Sequence, residues 1–182
     1  TTTHTYSSAA SDVYKRQPMK VIDNFLPIDV FENIHKEIMG DSLTWFYRPA
    51  VAREDDKDEP WNYFHSHLAY DEDRPWSTLY DVVFPFVEQV HQVEPLKACM
   101  RIMANAYPHT PKLKLHQKHT DFDFAHKGAI LYLNTCDGYT WCQGEKVYSV
   151  ANRVLLHDPS IAHYSTTTTT DKRRVIVNLN YI

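Results

Sequence analysis

A series of short β-like segments fills the chain from Leu96 to the C-terminus and constrains its fold more than any other feature. The segments are rich in apolar and β-branched residues, and turn signals such as Pro108, Asp137-Gly138 and Asp158-Pro159 separate them. They span residues 98–107, 113–116, 128–134, 146–156 and 173–181. Evenly spaced short strands that follow helical segments predict an α+β, mainly β domain: a β-sandwich or jelly roll with helices packed on one side.

Two amphipathic segments precede this β region and are predicted to be the helices. The apolar residues of the first recur at helical spacing and are Phe31, Ile34 and Ile38. Asp29 and Glu32 predict a capping box at its start, and Gly40 predicts its end. The second helix is predicted from about Ser77 to Val93. Its expected inward-facing residues are Leu79, Val83, Phe86, Val87 and Val90.

Residues 1–17 differ from the rest, since they are polar, rich in Ser and Thr and without an apolar period. We interpret them as a non-native or disordered segment. The stretch Asp12–Gln17 resembles the in-frame translation of a transposon-end adapter used in sequencing libraries, so the natural protein is expected to start at Met19. Residues 18–182 are predicted to form one domain.

Composition limits the classes of partner. A formal net charge of −4 disfavours general binding to nucleic acid or to a membrane surface. No apolar run approaches the roughly 20 residues of a membrane helix. Cys99, Cys136 and Cys142 lack the spacing of a metal knuckle. Reduced thiols and a cytoplasmic location are therefore expected, and a Cys136–Cys142 disulfide across a hairpin is the less favoured alternative.

One group of polar residues points to metal chemistry. His119 and Asp121 lie two residues apart, so on a strand both side chains point to the same face, and His163 follows 42 residues later. Two imidazoles and one carboxylate on one face of a metal leave positions open, which is typical of non-haem Fe(II) oxygenases. The alternative to a metal site is a polar β surface that carries three unrelated residues.

Other residues compete for a ligand role. On a strand, His116 would point to the face opposite His119, and Asp123 lies four residues from His119. His157 ends an apolar strand and is expected to pack, whereas His126 is expected to be solvent-exposed. The favoured ligands therefore remain His119, Asp121 and His163.

Arg173 and Arg174 open the last predicted strand, so one should point into the barrel and the other to solvent. The inward guanidinium could bind a dicarboxylate through two parallel hydrogen bonds. Strand periodicity alone leaves open which of the two this is.

At these positions the chain resembles the 2-oxoglutarate- and Fe(II)-dependent dioxygenases, closest to the prolyl 4-hydroxylase-like branch and its small phage and marine-microbial members. The resemblance covers residues 19–182 and rests on a few motifs. These are Ala104–Pro108 with Tyr107, His119-Thr120-Asp121, Ile130–Asn134 with Tyr132, the turn Asp137–Thr140, and the stretch from Val150 to His163. The turn has one Gly where relatives often have two, and the Thr run 166–170 matches nothing interpretable in the family.

The resemblance implies a double-stranded β-helix in which His119, Asp121 and His163 hold Fe(II). It also selects Arg174, because the family places a polar residue four positions after its inward basic residue, and Asn178 fits. Arg174 would bind the distal carboxylate of the cosubstrate 2-oxoglutarate. The other implied cosubstrate contacts are Tyr107, Tyr132, Thr140 and Asn178.

The implied reaction hydroxylates a C–H bond with O2 and converts 2-oxoglutarate to succinate and CO2, with ascorbate as a candidate reductant. The expected location is the cytoplasm, or that of a host if a phage encodes the protein. The substrate stays open among peptidyl proline, another protein side chain and a small metabolite. The aromatic and acidic segment 44–76 could be a lid over the iron or an ordinary exposed loop. Rival hypotheses are a zinc-dependent hydrolase with the same ligands and a non-enzymatic jelly-roll protein.

Overall fold

The computed structural model describes residues 19–52 and 59–182. The predicted N-terminal segment 1–17 and most of the charged loop after residue 52 lie outside the described residues. Within them, the strands are β1 (Lys20–Ile22), β2 (Phe46–Arg48), β3 (Phe64–Asp71), β4 (Arg74–Pro75), β5 (Cys99–Pro108), β6 (Lys127–Tyr132), β7 (Tyr139–Cys142), β8 (Glu145–Tyr148), β9 (Arg153–His157), β10 (Tyr164–Ser165) and β11 (Arg173–Tyr181). The helices are α1 (Ile28–Met39) and α2 (Leu79–Val93).

The strands form two antiparallel sheets. The larger has the order β1-β9-β6-β11-β5-β3-β2, with β4 paired to β3, and the smaller has the order β10-β7-β8. A buried cluster lies between them, with Ile130 and Ile176 from the large sheet and Cys142 and Val147 from the small one. This two-sheet arrangement is the jelly roll predicted from the strand series.

The central strand β11 shows how the large sheet divides its side chains between two faces. Its odd-numbered residues, such as Val175 and Val177, pack into the main core together with the buried faces of both helices. Its even-numbered residues face the other way. They are Arg174, Ile176, Asn178 and Asn180. One face of the sheet therefore builds the core, and the other lines the space between the sheets.

Both predicted helices are present, with the predicted residues buried. The capping box at α1 was wrong: the N-cap is Pro27, and no side chain caps the helix. The backbone carbonyl of Pro27 instead accepts the first helical hydrogen bond, from the N–H of Phe31. Asp29 consequently lies in the first turn, where its negative charge interacts favourably with the positive end of the helix dipole. Gly40 ends the helix, as predicted.

Two predicted strands differ from the structure. Residues 113–116 form no strand, and only an isolated bridge joins Leu115 to Thr166. The predicted strand 146–156 is split into β8 and β9, because Asn152 adopts a positive φ of 60° that no regular strand accommodates. The three cysteines are free, as expected. Neither helix of the described residues combines the length and hydrophobicity that a membrane span needs.

Candidate metal centre

His119, Asp121 and His163 converge at one end of the space between the sheets. An isolated antiparallel bridge joins His119 to His163, and their backbones exchange hydrogen bonds of 2.9 and 3.0 Å. The potential ligand atoms of the three residues all lie within 4.8 Å of one another. The structure thus brings together the three residues that the sequence predicted as ligands, although they lie on irregular segments rather than on strands.

Hydrogen bonds to the backbone orient both imidazoles. The Nδ1–H of His119 donates to the carbonyl of Gln117 at 3.1 Å, and that of His163 donates to the carbonyl of Ile161 at 3.0 Å. A carbonyl oxygen can only accept, so Nδ1 carries the proton and a neutral ring keeps its lone pair on Nε2. These Nε2 atoms lie 3.8 Å (His119) and 3.5 Å (His163) from Oδ1 of Asp121.

The ionisation of Asp121 suits metal binding, whereas each imidazole must carry no proton on Nε2 to bind a metal ion. Burial by itself raises the pKa of Asp121, but hydrogen bonding and charge from His163, the Asn180 amide and the charge of Arg101 hold that pKa well below its usual range. Burial and the charge of His163 lower the pKa of His119. Burial also opposes the charged form of His163, yet the hydrogen bond to Asp121 and its charge raise the pKa of His163. The carboxylate is therefore ionised, as a metal ligand must be.

Arg174 lies deeper between the sheets and is fully buried. Its Nη2 donates to Oγ1 of Thr140 at 2.8 Å, and its guanidinium lies 5.3 Å from the ring centroid of Tyr107 and 5.5 Å from that of Tyr132. Its Nε and Nη1 are buried without a hydrogen-bond partner, and no carboxylate of the described residues pairs with it. A Cβ on Gly138 would lie 2.6 Å from Cδ of Arg174, so this close packing requires glycine.

Arg173 points away from this space. Its Nη2 donates to the carbonyl of Met39 at 3.0 Å, and its guanidinium lies 5.5 Å from the ring centroid of Trp45. The alternation predicted for the two arginines is present, but Arg173 packs at the end of α1 instead of facing only water.

The remaining predicted contact residues line the same region. The Tyr107 ring is buried and stacks on Phe64 at 5.8 Å. Burial raises the pKa of Tyr132 to about 12, so its hydroxyl stays protonated. Asn178, which the resemblance implied as a cosubstrate contact, donates its amide to Oδ2 of Asp121 at 3.3 Å. A cavity of about 240 Å³ reaches Tyr107, Thr140 and Asn178 as well as the three ligands.

Two histidines were placed wrongly from the sequence. His126 is buried rather than exposed, because residues 122–126 fold back beside Asp121, and its ring contacts Phe122 edge-on at 5.1 Å. His116 is also buried, between the rings of Trp61 and Tyr107, and its Nδ1 lies 2.7 Å from Oγ of Ser165. Strand alternation does not apply to it, since residues 113–121 form no regular strand.

Two expectations for nearby residues are confirmed. His157 packs in the interior, 5.2 Å from the ring of His163, and burial lowers the pKa of His157 to about 3. Asp123 is exposed, whereas Asp121 lies with the histidines. Arg101 and Asn180 contact Asp121 but were not predicted. Their only signal in the sequence is an inward position on a strand.

No family model and no curated protein matches this sequence. Solved structures do match. A prolyl hydroxylase from Trichoplax adhaerens, in complex with a hypoxia inducible factor oxygen degradation domain peptide fragment, is 14% identical, with a TM-score of 0.65 over 90% of this chain and 83% of that chain. A prolyl-4-hydroxylase from Pseudomonas putida is 14% identical, with a TM-score of 0.58 over 90% of this chain and 91% of that chain.

HygX from Streptomyces hygroscopicus, with nickel and 2-oxoglutarate bound, is 13% identical, with a TM-score of 0.58 over 90% of this chain and 82% of that chain. At such low identity the likeness establishes the fold. The chain has the double-stranded β-helix of these proteins, with two helices packed on one side, as the resemblance implied.

Proposed function

We propose that this protein is an Fe(II)- and 2-oxoglutarate-dependent dioxygenase that hydroxylates a C–H bond of its substrate and converts 2-oxoglutarate to succinate and CO2. One observation carries the proposal: the cavity lined by a two-histidine, one-carboxylate cluster also reaches Thr140 and Tyr107, which contact a fully buried arginine that has no counter-ion among the described residues. The similarity to oxygenases in fold agrees with it.

The three side chains fit an iron ion. His119 and His163 present Nε2 atoms whose tautomer is set by backbone carbonyls, and Asp121 presents an ionised oxygen. Three protein ligands on one side are the donor set of non-haem Fe(II) oxygenases, in which the metal supplies the activation of O2. His119, Asp121 and His163 would hold the ion.

The surroundings of Arg174 fit one carboxylate of 2-oxoglutarate. A buried guanidinium is costly unless an anion pairs with it, and Nε and Nη1 of Arg174 lie buried without a partner. Thr140 already binds its Nη2 and so orients the side chain. The rings of Tyr107 and Tyr132 flank the guanidinium and exclude water around it.

The rival functions leave Arg174 unexplained. A zinc-dependent hydrolase needs the metal ligands and a general base, but it needs no buried cation beside them. A non-enzymatic jelly roll needs neither feature. A buried charge without a partner destabilises a fold, so its presence favours a function that supplies an anion.

The substrate belongs to one of three classes: peptidyl proline, another protein side chain or a small metabolite. The Trichoplax adhaerens neighbour is in complex with a peptide, which keeps a peptide among the candidates. We place the protein in the cytoplasm and consider ascorbate its candidate reductant.

Anaerobic titration tests the proposal. Fe(II) and 2-oxoglutarate added together, but neither alone, should produce a weak visible charge-transfer band, and air should then release succinate even without substrate. His119→Ala and Asp121→Ala should abolish the band and the succinate. If the wild-type protein gives neither signal but hydrolyses ester or amide probes with Zn(II), the hydrolase is correct.

A further inference from the structure

The two oxygens of the Asp121 carboxylate have different surroundings. Oδ1 faces the Nε2 atoms of His119 and His163. Oδ2 faces N–H donors: the amide of Asn180 at 2.7 Å, the amide of Asn178 at 3.3 Å, and Nη2 of Arg101 at 3.7 Å. One oxygen is thus held by the protein, while the other shares its side with the imidazoles.

Asn180 makes the shortest of these contacts, and its neighbours determine how its amide is oriented. Nη2 of Arg101 donates to Oδ1 of Asn180 at 3.1 Å, and a guanidinium can only donate. The amide nitrogen must therefore point towards Asp121. Asn180 is fully buried, so water does not compete for either end of the amide.

His126 holds the amide from its remaining side. The Nδ1–H of His126 donates to the carbonyl of Phe124 at 2.8 Å, which leaves Nε2 of the neutral ring as an acceptor. This Nε2 lies 3.4 Å from the amide nitrogen of Asn180. Each N–H of that nitrogen thus has its own acceptor, one on Asp121 and one on His126.

We infer that Asn180 is a positioning residue for the metal centre: its amide holds Oδ2 of Asp121, so that Oδ1 alone is presented to the metal. The inference rests on the proposed function in that these three ligands bind a metal ion. The χ2 torsion of an aspartate is soft and roughly two-fold, so without this contact the carboxylate can rotate and exchange its oxygens. Outer-shell partners of this kind typically change metal affinity 10–100-fold.

β11 would then have two roles along one face. Arg174 lies near the start of the strand and Asn180 near its end, both fully buried. One strand therefore supplies the cation for the cosubstrate and the amide that orients a metal ligand.

Asn180→Leu tests the inference, since leucine is close to asparagine in size and has no donor. The measurement is the Mn(II) dissociation constant of the metal-free protein, from the electron paramagnetic resonance signal of free Mn(II), without 2-oxoglutarate or turnover. We expect the dissociation constant to rise about 10–100-fold. Asn180→Ala, which avoids overpacking, should give a loss in the same range.

Asn105→Leu is the matched control. Asn105 is also buried and lines the same cavity from β5, and within the described part of the chain its side chain makes no hydrogen bond to Asp121. This variant should bind Mn(II) within twofold of wild type. Thermal unfolding separates a positioning role of Asn180 from a purely structural one. A purely structural role lowers the midpoint of thermal unfolding without changing the Mn(II) affinity of the folded protein.

Wild-type affinity in both Asn180 variants, or an equal loss in Asn105→Leu, would overturn the inference while leaving the metal centre intact. A wild-type protein that binds no Mn(II) would overturn the metal centre, and the inference with it.

Discussion

At residue 174 a single cation lies between two tyrosine rings with its Nε and Nη1 unpaired. Its position follows from strand register, since Arg174 pairs with Tyr107 across β5 and β11. A shift of one residue would bring Arg173 into this place and remove every other inward side chain of β11 as well. The identity of the inward arginine is therefore inseparable from the pairing of the whole strand.

Arg174→Gln should raise the KM for 2-oxoglutarate about 30–150-fold, because losing one partner of a buried charge pair costs roughly 2–3 kcal/mol. Steady-state succinate release measures this. Arg173→Gln is the matched control and should change the KM by less than twofold, since Arg173 contacts Met39 and Trp45 outside the cavity. A large effect in Arg173→Gln, with none in Arg174→Gln, would contradict the assignment.

Among elements, the threonine run 166–170 has a role that its sequence did not reveal. Thr166, Thr167 and Thr168 are fully buried. Hydroxyls of Thr168, Thr169 and Thr170 donate to the carboxylate of Asp137, as does the backbone N–H of Thr169. The run is thereby attached to the turn before β7, the strand that carries Thr140 to Arg174.

This attachment makes part of the stability depend on pH. Burial alone raises the pKa of Asp137, but the threonine hydrogen bonds lower it from 3.8 to about 2. Because the folded-state pKa lies below the unfolded one, the ionised carboxylate stabilises the fold at neutral pH. That contribution is fully present above about pH 5 and is lost as the pH falls towards 2.

Asp137→Asn should lower the free energy of unfolding by about 1 kcal/mol at pH 7, a value reduced to allow for solvent screening of this half-exposed group. The difference from wild type should shrink at pH 3. Urea denaturation at the two pH values measures it, with the exposed Asp123→Asn as control. A difference that is the same at both pH values would show that ionisation of Asp137 contributes nothing.

On the scale of the whole molecule, one face of the large sheet packs into the core, and the other carries side chains of the candidate site. Its helix-side face packs into the main core with Ile34 and Phe86, and its other face carries Arg174 and Asn180. The two sets of side chains come from alternate positions of the same strands. Changes in the main core should therefore affect folding far more than metal binding.

Ile34→Ala tests this separation. Ile34 is fully buried in α1, so the substitution should lower the free energy of unfolding by about 2–5 kcal/mol. The Mn(II) dissociation constant of the folded protein should stay within twofold of wild type. Urea denaturation and Mn(II) titration of the same sample provide the two measurements. A tenfold loss of Mn(II) affinity would show that the two faces are coupled.

Local patterns in the sequence were sufficient for several features. Helical spacing predicted the buried residues of α1 and α2, because a helix that packs on a sheet must repeat its apolar residues every three to four positions. Strand alternation placed one arginine inward, and the His-x-Asp pair with a distant His identified the cluster that the structure brings together. For the helices, the two arginines and the His-x-Asp pair, the signal lies within a few neighbouring residues, whereas His163 lies 42 residues beyond Asp121.

Only the tertiary structure decided which side chains surround that cluster. His126 was expected in solvent, and Asn180 was not noticed, yet both lie beside Asp121 although Asn180 is 59 residues away from it. Such contacts depend on how a loop packs against a sheet, and the spacing of apolar residues in the sequence does not predict this. The sequence by itself determined both helices, most of the strands and the three candidate ligands, because these show in local spacing and residue type. The burial of Arg174 and the contacts that hold Asp121 exist only once distant segments have packed together.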